Sequence, residues 1–287
     1  MVKVFLFPGQ GAQRVGMGRA EFDRFPNLER EASDVLGYSV RRLCLEDPDR
    51  QLGDTRYTQS AMYVVNALTY RALREDGPAP DMALGHSLGE YNALEAAGAF
   101  GFAEGLRLVA ARATAMAEIS GGGMTAVVGL DETYLRFLIR RAGFETLDLA
   151  NLNTPQQAVL AGPIEDLTEI ETILEDAGAR MVRRLPVSGP FHSRYMTPAA
   201  EAFAPTLRAA SFGSLSFPVI ANCTAQPYKG DSIAELLTRQ INHAVRWTES
   251  LRPIIARDDS DFVEVGGTTL KSMIRQIRQT ALATGTV

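Results

Sequence analysis

The chain opens on Val2-Lys3-Val4-Phe5-Leu6-Phe7, a continuous apolar run rich in β-formers that is cut by Pro8 and the turn Gly9-Gln10-Gly11. Such a run predicts a buried strand that ends in a loop. Asp81 to Leu84 is a second short apolar segment, which enters Gly85-His86-Ser87-Leu88-Gly89 and then the helical stretch Glu90 to Ala97. Strand, glycine turn and helix follow one another there. In open α/β sheets ligands gather at the carboxyl ends of the strands, so both glycine-containing loops lie where chemistry is usually found.

From Met124 the texture changes. The pattern predicts strand Met124 to Gly129, helix Asp131 to Ala142, strand Leu147 to Asn151, strand Gln157 to Ala161, helix Ile164 to Ala177 and strand Met181 to Val187. The order βαββαβ is the ferredoxin-like pattern and predicts a small inserted domain of about 60 residues, 124–187. Ser188-Gly189-Pro190-Phe191-His192 then returns the chain to the large domain, 1–123 and 188–287. A helical stretch, the strand-like segment Phe217 to Cys223, a helix around Ile233 to Ile241 and a last strand, Phe262 to Gly266, complete it. The expected class is α/β: a large domain with a parallel sheet core, interrupted by a small one. No internal repeat or low-complexity tract is evident.

Composition narrows this picture only a little. An apolar fraction of 46% and a charged fraction of 22% over 287 residues fit a globular chain with a substantial core, and exclude disordered and fibrous classes. No apolar run approaches a membrane span, and Val2 to Phe7 is too short for the core of a signal peptide, so the expected location is the cytoplasm. Cys44 and Cys223 lack metal-site spacing and are too few for a disulfide framework; packing is their expected role. A net charge of −5 argues against a nucleic-acid partner. The arginines around Arg180, Arg183 and Arg184 could meet an acidic partner, although such charges are more often a solvated face.

Gly85-His86-Ser87-Leu88-Gly89 fits G-x-S-x-G, the sharp strand-to-helix turn that exposes a serine hydroxyl. The helix start behind Ser87 offers free N–H groups and a positive dipole end, and the N–H of Leu88 is the natural first donor to an oxyanion. A serine nucleophile needs a base, and histidine is the default. Only three are present. His86 adjoins the nucleophile and should diverge from it, which favours a structural role; His243 sits at a helix terminus, where a surface or capping role is expected. His192 remains, late in the chain as in hydrolase-like orders, with a packing role as its alternative.

The helix Ala103 to Glu118 presents Arg107, Thr114 and Glu118 on one side and Leu106, Val109, Ala113, Met116 and Ala117 broadly opposite. Arg112 falls beside Leu108, Val109 and Met116, off the polar face. An unpaired buried guanidinium is very costly, so Arg112 must reach solvent or meet an anion, either a carboxylate of the fold or an anionic substrate, and periodicity does not choose between the last two.

Several ordered fragments together resemble the malonyl-CoA:acyl carrier protein transacylase family, including the stand-alone, trans-acting acyltransferases that serve polyketide synthases. They are Phe7-Pro8-Gly9-Gln10-Gly11-Ala12-Gln13, Tyr57-Thr58-Gln59-Ser60, Gly85-His86-Ser87-Leu88-Gly89-Glu90-Tyr91, Arg112, Gly189-Pro190-Phe191-His192-Ser193, Val245-Arg246-Trp247 and Glu264-Val265-Gly266, and they run nearly end to end. The resemblance implies a hydrolase-like large domain with a ferredoxin-like insertion and an active site in the cleft between them. It implies Ser87 as nucleophile, His192 as base, Arg112 as carboxylate clamp, the N–H groups of Gln10 and Leu88 as oxyanion hole, and Gln59 lining the acyl pocket. A backbone carbonyl near Asn242 and His243 would orient His192; relatives often carry a proline in that pair, where this chain has His243-Ala244. Leu88 and Phe191 resemble the malonyl-selective pattern, with Phe191 crowding an α-methyl group; simple packing at the domain junction is its alternative. The implied substrates are malonyl-CoA and the phosphopantetheine thiol of an acyl carrier protein, with no metal or redox cofactor, no membrane and no nucleic acid. The rivals are a serine thioesterase or hydrolase with an acidic third member between Ser87 and His192, a transacylase of fatty-acid synthesis, and a silent carrier-docking module.

Overall fold

Along the first strand, β1 (Val2–Phe7), Val4 and Leu6 turn to one face of the sheet and Phe5 and Phe7 to the other, and all four are buried. A strand covered on both faces reads as a continuous apolar run, which is why no alternation marks it in the sequence. The structure is a computed structural model that describes residues 1–257 and 259–284. After β1 come α1 (Arg19–Arg24), α2 (Pro26–Leu36), α3 (Val40–Leu45) and the long α4 (Thr55–Glu75). Then follow β2 (Met82–Gly85), α5 (Gly89–Ala96) and α6 (Phe102–Ala117). The next segment runs β3 (Gly122–Val128), α7 (Glu132–Arg141), β4 (Asp148–Thr154), β5 (Gln157–Pro163), α8 (Ile164–Asp176) and β6 (Met181–Arg184). The chain continues through α9 (Thr197–Ala209), β7 (Val219–Ala221), β8 (Gln226–Pro227), α10 (Ile233–Asn242), α11 (Trp247–Ile255), β9 (Ser260–Glu264) and α12 (Thr269–Thr284).

The larger sheet has the order β8-β7-β2-β1-β9, parallel throughout except for β8. One face carries Phe5, Phe7 and Ala83 into a core shared with α4, α5, α6 and α9; the other carries Val4, Leu6 and Leu84 against Trp247, Leu251 and Ile274 of α11 and α12. The carboxyl ends of β1 and β2 lie side by side, Phe7 opposite Gly85, so the Gly9 loop and the Ser87 turn emerge together.

The second sheet is antiparallel, in the order β4-β5-β3-β6. On one face Val127, Leu149 and Leu160 pack on Leu135, Leu138, Leu167 and Ile170 of α7 and α8. Its other face turns Met124, Ala126 and Ala161 toward the main core. Its edge strand β4 is closed by the main body: Val245 N–H donates to Ala150 O and Leu152 N–H to Val245 O, each at 2.9 Å. An edge that would otherwise present unpaired backbone groups is thereby satisfied, and the second sheet is fastened to the segment before α11.

The close approach of β1 to α5 depends on Gly89. A Cβ there would lie 2.0 Å from the Phe7 carbonyl oxygen, a backbone atom that cannot move aside cheaply. Gly89→Ala is therefore expected to cost about 3 kcal/mol and lower the thermal midpoint by roughly 6–12 °C. Gly53→Ala, where a Cβ meets nothing within 4 Å, should stay within about 0.5 kcal/mol. Equal midpoints for the two variants in a thermal melt would refute the assignment.

Candidate active site

Ser87 sits between β2 and α5 with φ of 52°, in the left-handed region that a residue with a Cβ enters only at a cost. Asn222, directly after β7, holds that turn: its Oδ1 accepts from Ser87 N–H and its Nδ2 donates to Gly85 O, each at 2.7 Å. Leu88, at the start of α5, has no side-chain cap above it. The β1 loop closes on the same spot, for a Cβ on Gly9 would lie 2.3 Å from His86 O and 3.5 Å from Leu88 N. Backbone N–H groups of Gln10 and Leu88 thus belong to neighbouring stretches of chain, and among the described residues neither donates to a protein acceptor. Gln10 itself is anchored through its side chain, whose amide exchanges hydrogen bonds with Thr55 Oγ1 at 3.1 and 3.2 Å.

His192 Nε2 lies 2.7 Å from Ser87 Oγ, and its Nδ1 lies 2.8 Å from the carbonyl oxygen of Gln240. A carbonyl only accepts, so Nδ1 carries the hydrogen and Nε2 is left as acceptor for the Ser87 hydroxyl. His192 is 4% exposed. Burial, and then the nearby charge of Arg112, push its pKa down to about 3, which keeps the ring neutral at physiological pH.

Arg112 is 1% exposed, and no carboxylate of the described residues lies within ion-pair distance of it. Its Nη1 donates to Gln59 Oε1 at 2.5 Å; its Nη2 donates to Gln240 Oε1 at 2.8 Å and to Ser87 Oγ at 3.1 Å. Its Nε has no hydrogen-bond partner among the described residues, and the guanidinium lies over the Tyr91 ring, 5.6 Å from the centroid. Of the two readings left open by the helical pattern, a salt bridge inside the fold is not the one observed. The charge is instead supported by neutral oxygens and stands at the nucleophile.

The sequence-predicted residues Ser87, His192, Arg112, Gln59, Gln10 and Leu88 converge. Phe191 is buried in the main core, its ring 3.2 Å from where a Cβ on Gly189 would lie, so its observed contacts include packing at the junction. One expectation is corrected: the carbonyl that orients His192 belongs chiefly to Gln240, two and three residues before Asn242 and His243, with the His243 backbone a weaker contributor. α10 runs to Asn242, so the last-turn carbonyls, which lack intrahelical partners, begin earlier than the turn itself. Exposed His243 caps that helix, its Nδ1 2.9 Å from Arg239 O and 2.6 Å from Asn242 Oδ1. His86 is structural as expected, its Nε2 2.8 Å from Asn153 Oδ1 on β4 and its ring against Trp247. Gln240, Asn222 and Tyr228 were missed because they come from segments with no local motif. Glu90 lies within the glycine-turn fragment, whose pattern carries no signal for a role.

The chain matches the acyl transferase domain model over residues 4–282. The polyketide biosynthesis malonyl CoA-acyl carrier protein transacylase BaeC of Bacillus velezensis is 44% identical over 277 residues, 96% of this chain and 96% of that protein. The polyketide biosynthesis protein ThaF of Burkholderia thailandensis is 46% identical over 275 residues, which are 95% of this chain and only 24% of ThaF. A crystal structure of malonyl CoA-acyl carrier protein transacylase from Burkholderia pseudomallei superposes with a TM-score of 0.94 at 44% identity, covering 97% of this chain and 98% of that one. With a match across nearly its whole length, and with a serine, a histidine and a buried arginine meeting at the turn between β2 and α5, this chain belongs to the acyl transferase domain family.

Proposed function

We propose that this chain moves a malonyl group from malonyl-CoA to the phosphopantetheine thiol of an acyl carrier protein through an ester on Ser87, in polyketide assembly. The observation that carries the proposal is the Arg112 guanidinium, buried without a carboxylate partner among the described residues and hydrogen-bonded to the nucleophile. A substrate carboxylate is the anion such a site lacks, and the planar fork of arginine suits it.

His192 Nε2 takes the Ser87 proton as Oγ attacks the thioester carbonyl. The N–H groups of Gln10 and Leu88 hold the oxyanion of the tetrahedral intermediate. Collapse breaks the C–S bond, and the coenzyme A sulfur leaves with the proton from His192. In the second half-reaction His192 removes the proton of the carrier thiol, the thiolate attacks the Ser87 ester, and Oγ recovers its proton. Transfer by this route needs no metal or redox cofactor. Arg112 holds the free carboxylate in both halves and so favours malonyl over acetyl, whose methyl group would leave the guanidinium unanswered. Phe191, beside the base, is assigned the exclusion of an α-methyl group.

The strand order β4-β5-β3-β6 supports reading 124–187 as a ferredoxin-like insertion in a hydrolase-like large domain, 1–123 and 188–287. A cytoplasmic site of action is part of the proposal; no helix of the described residues is long and apolar enough to cross a membrane. A hydrolase would pair His192 with a carboxylate, whereas Nδ1 faces a backbone carbonyl. The intact contact between Ser87 and His192 disfavours a silent docking module. Relatives named for polyketide biosynthesis favour that pathway over fatty-acid synthesis.

Intact-protein mass spectrometry after brief exposure to malonyl-CoA should find a malonyl adduct that is lost in Ser87→Ala and passes to a phosphopantetheinylated carrier protein. Absence of any adduct, or release to water faster than to carrier, would overturn transfer. In competition among malonyl-, methylmalonyl- and acetyl-CoA the malonyl ester should dominate, and Arg112→Ala should lose malonyl preference over acetyl by roughly 100-fold or more. A variant as selective as the parent removes Arg112 from recognition, and comparable methylmalonyl loading removes Phe191. Because the His192 pKa is lowered, its neutral form persists as pH falls: 15N NMR of the ring should detect no protonation between pH 7 and 5. Titration near the ordinary histidine value would contradict the buried environment.

A further inference from the structure

Glu90, one helical turn after Ser87 in α5, is 0% exposed, and no lysine or arginine of the described residues lies within ion-pair distance of it. Each of its hydrogen-bond partners among the described residues is a donor. The Tyr228 hydroxyl donates to Oε1, the Asn222 N–H approaches Oε1 and Oε2 at 3.3 and 3.2 Å, and Gln240 Nε2 donates to Oε2 at 2.8 Å. Gln240 is the hub. Its Nε2 also donates to Ser87 O at 2.8 Å, its Oε1 accepts from Arg112, and its backbone carbonyl accepts from His192 Nδ1–H. An amide has one oxygen and one NH2 group. Turned over, it would set NH2 against the Arg112 guanidinium and oxygen against the carboxylate, and both contacts would be lost.

We propose that Glu90 is a positioning residue for the Ser87 and His192 pair: its ionised carboxylate fixes the Gln240 amide and offsets the positive charge that forms on His192 beside Arg112. This role rests on the function proposed above. Acylation creates an imidazolium a short distance from a buried guanidinium, and a site of low polarity penalises two like charges. A fixed negative charge reached through Gln240 relieves that repulsion without touching the imidazole, in place of the carboxylate that orients the histidine of a Ser-His-Asp triad directly.

The charge is tunable in the neutral range. Burial pushes Glu90 up to about 7 against the opposing pull of Tyr228, Gln240, Asn222 and Arg112, so the carboxylate is ionised above that pH and protonated below it. The groups facing it are Arg112 from α6, Tyr228 and Cys223 from the segments flanking β8, Tyr91 on its own helix, and the neutral Gln240 from α10. Burial raises Tyr228, Tyr91 and Cys223 and lowers Arg112, whose ordinary value lies far above neutrality; none of these exchanges a proton near pH 7. Burial also keeps His192 and His86 below their ordinary value.

The test is single-turnover acylation by malonyl-CoA between pH 5.5 and 8.5. Wild-type enzyme should accelerate as pH rises through about 7. Glu90→Gln, which has the shape of the protonated side chain, should acylate roughly 10- to 100-fold more slowly at pH 8, with that limb abolished and KM for malonyl-CoA within about 3-fold of wild type. Tyr228→Phe removes a hydrogen bond that lowers the Glu90 pKa, and should move the limb to higher pH. A merely structural Glu90 would change folded yield or amplitude and leave the limb in position. Wild-type rate in Glu90→Gln, or a limb retained there, overturns the role; should that variant not fold, an unmoved limb in Tyr228→Phe does so. Wild-type enzyme that gains no malonyl group on Ser87 overturns the parent function instead, and the two failures are thereby distinguished.

Discussion

Burial of the Arg112 guanidinium is the constraint on which the site depends. A charge removed from water must be met by hydrogen-bond acceptors, and here Gln59 of α4, Gln240 of α10 and the hydroxyl of Ser87 supply them. Those residues belong to three separate parts of the chain, brought together at the carboxyl ends of β1 and β2. Because the acceptors are neutral, the positive charge is solvated but not cancelled. A carboxylate in direct contact would have made a more stable pair and a poorer receptor for an anionic acyl group.

The nucleophile and its base share a second economy of design. Ser87 and His192 both adopt left-handed backbone conformations, at φ of 52° and 59°, and each is held there by groups from elsewhere in the fold. Asn222 clamps the serine turn on both sides, and Gln240 binds the histidine through its backbone and the serine carbonyl through its side chain. Strain at a functional position persists where the surroundings overdetermine it. The second sheet contributes to the same end. Its β4 edge bonds to Val245, and Asn153 bonds to His86, so the small sheet is fastened to the residue beside the nucleophile.

Much of the architecture was legible because local physics wrote it. The order βαββαβ between Gly122 and Arg184 follows from periodicity, and each observed element lies within a few residues of its expected bounds. The helices α1 to α4 and the terminal pair α11 and α12 are not legible in the local pattern, since their buried faces answer to partners distant in sequence. At the site, the turn around Ser87 was readable because glycine spacing and a strand-to-helix transition are local requirements. His192 was reached by elimination among three histidines, and Arg112 was marked as anomalous by its position on an apolar helix face. Gln10 and Gln59 came from family resemblance, with no local signal of their own.

By itself, then, the sequence determined which backbone must turn sharply, which serine that turn exposes and which arginine lacks a polar face. Tertiary structure alone decided that Arg112 has no carboxylate partner among the described residues, that Gln240 and not Asn242 or His243 supplies the main carbonyl facing His192, and that Glu90 lies behind the amide of Gln240. The physical reason is common to all three. Strand, turn and helix signals arise between residues a few positions apart, whereas hydrogen bonds to a buried charge are satisfied by whatever the folded chain brings within reach, and nothing in local spacing records those partners.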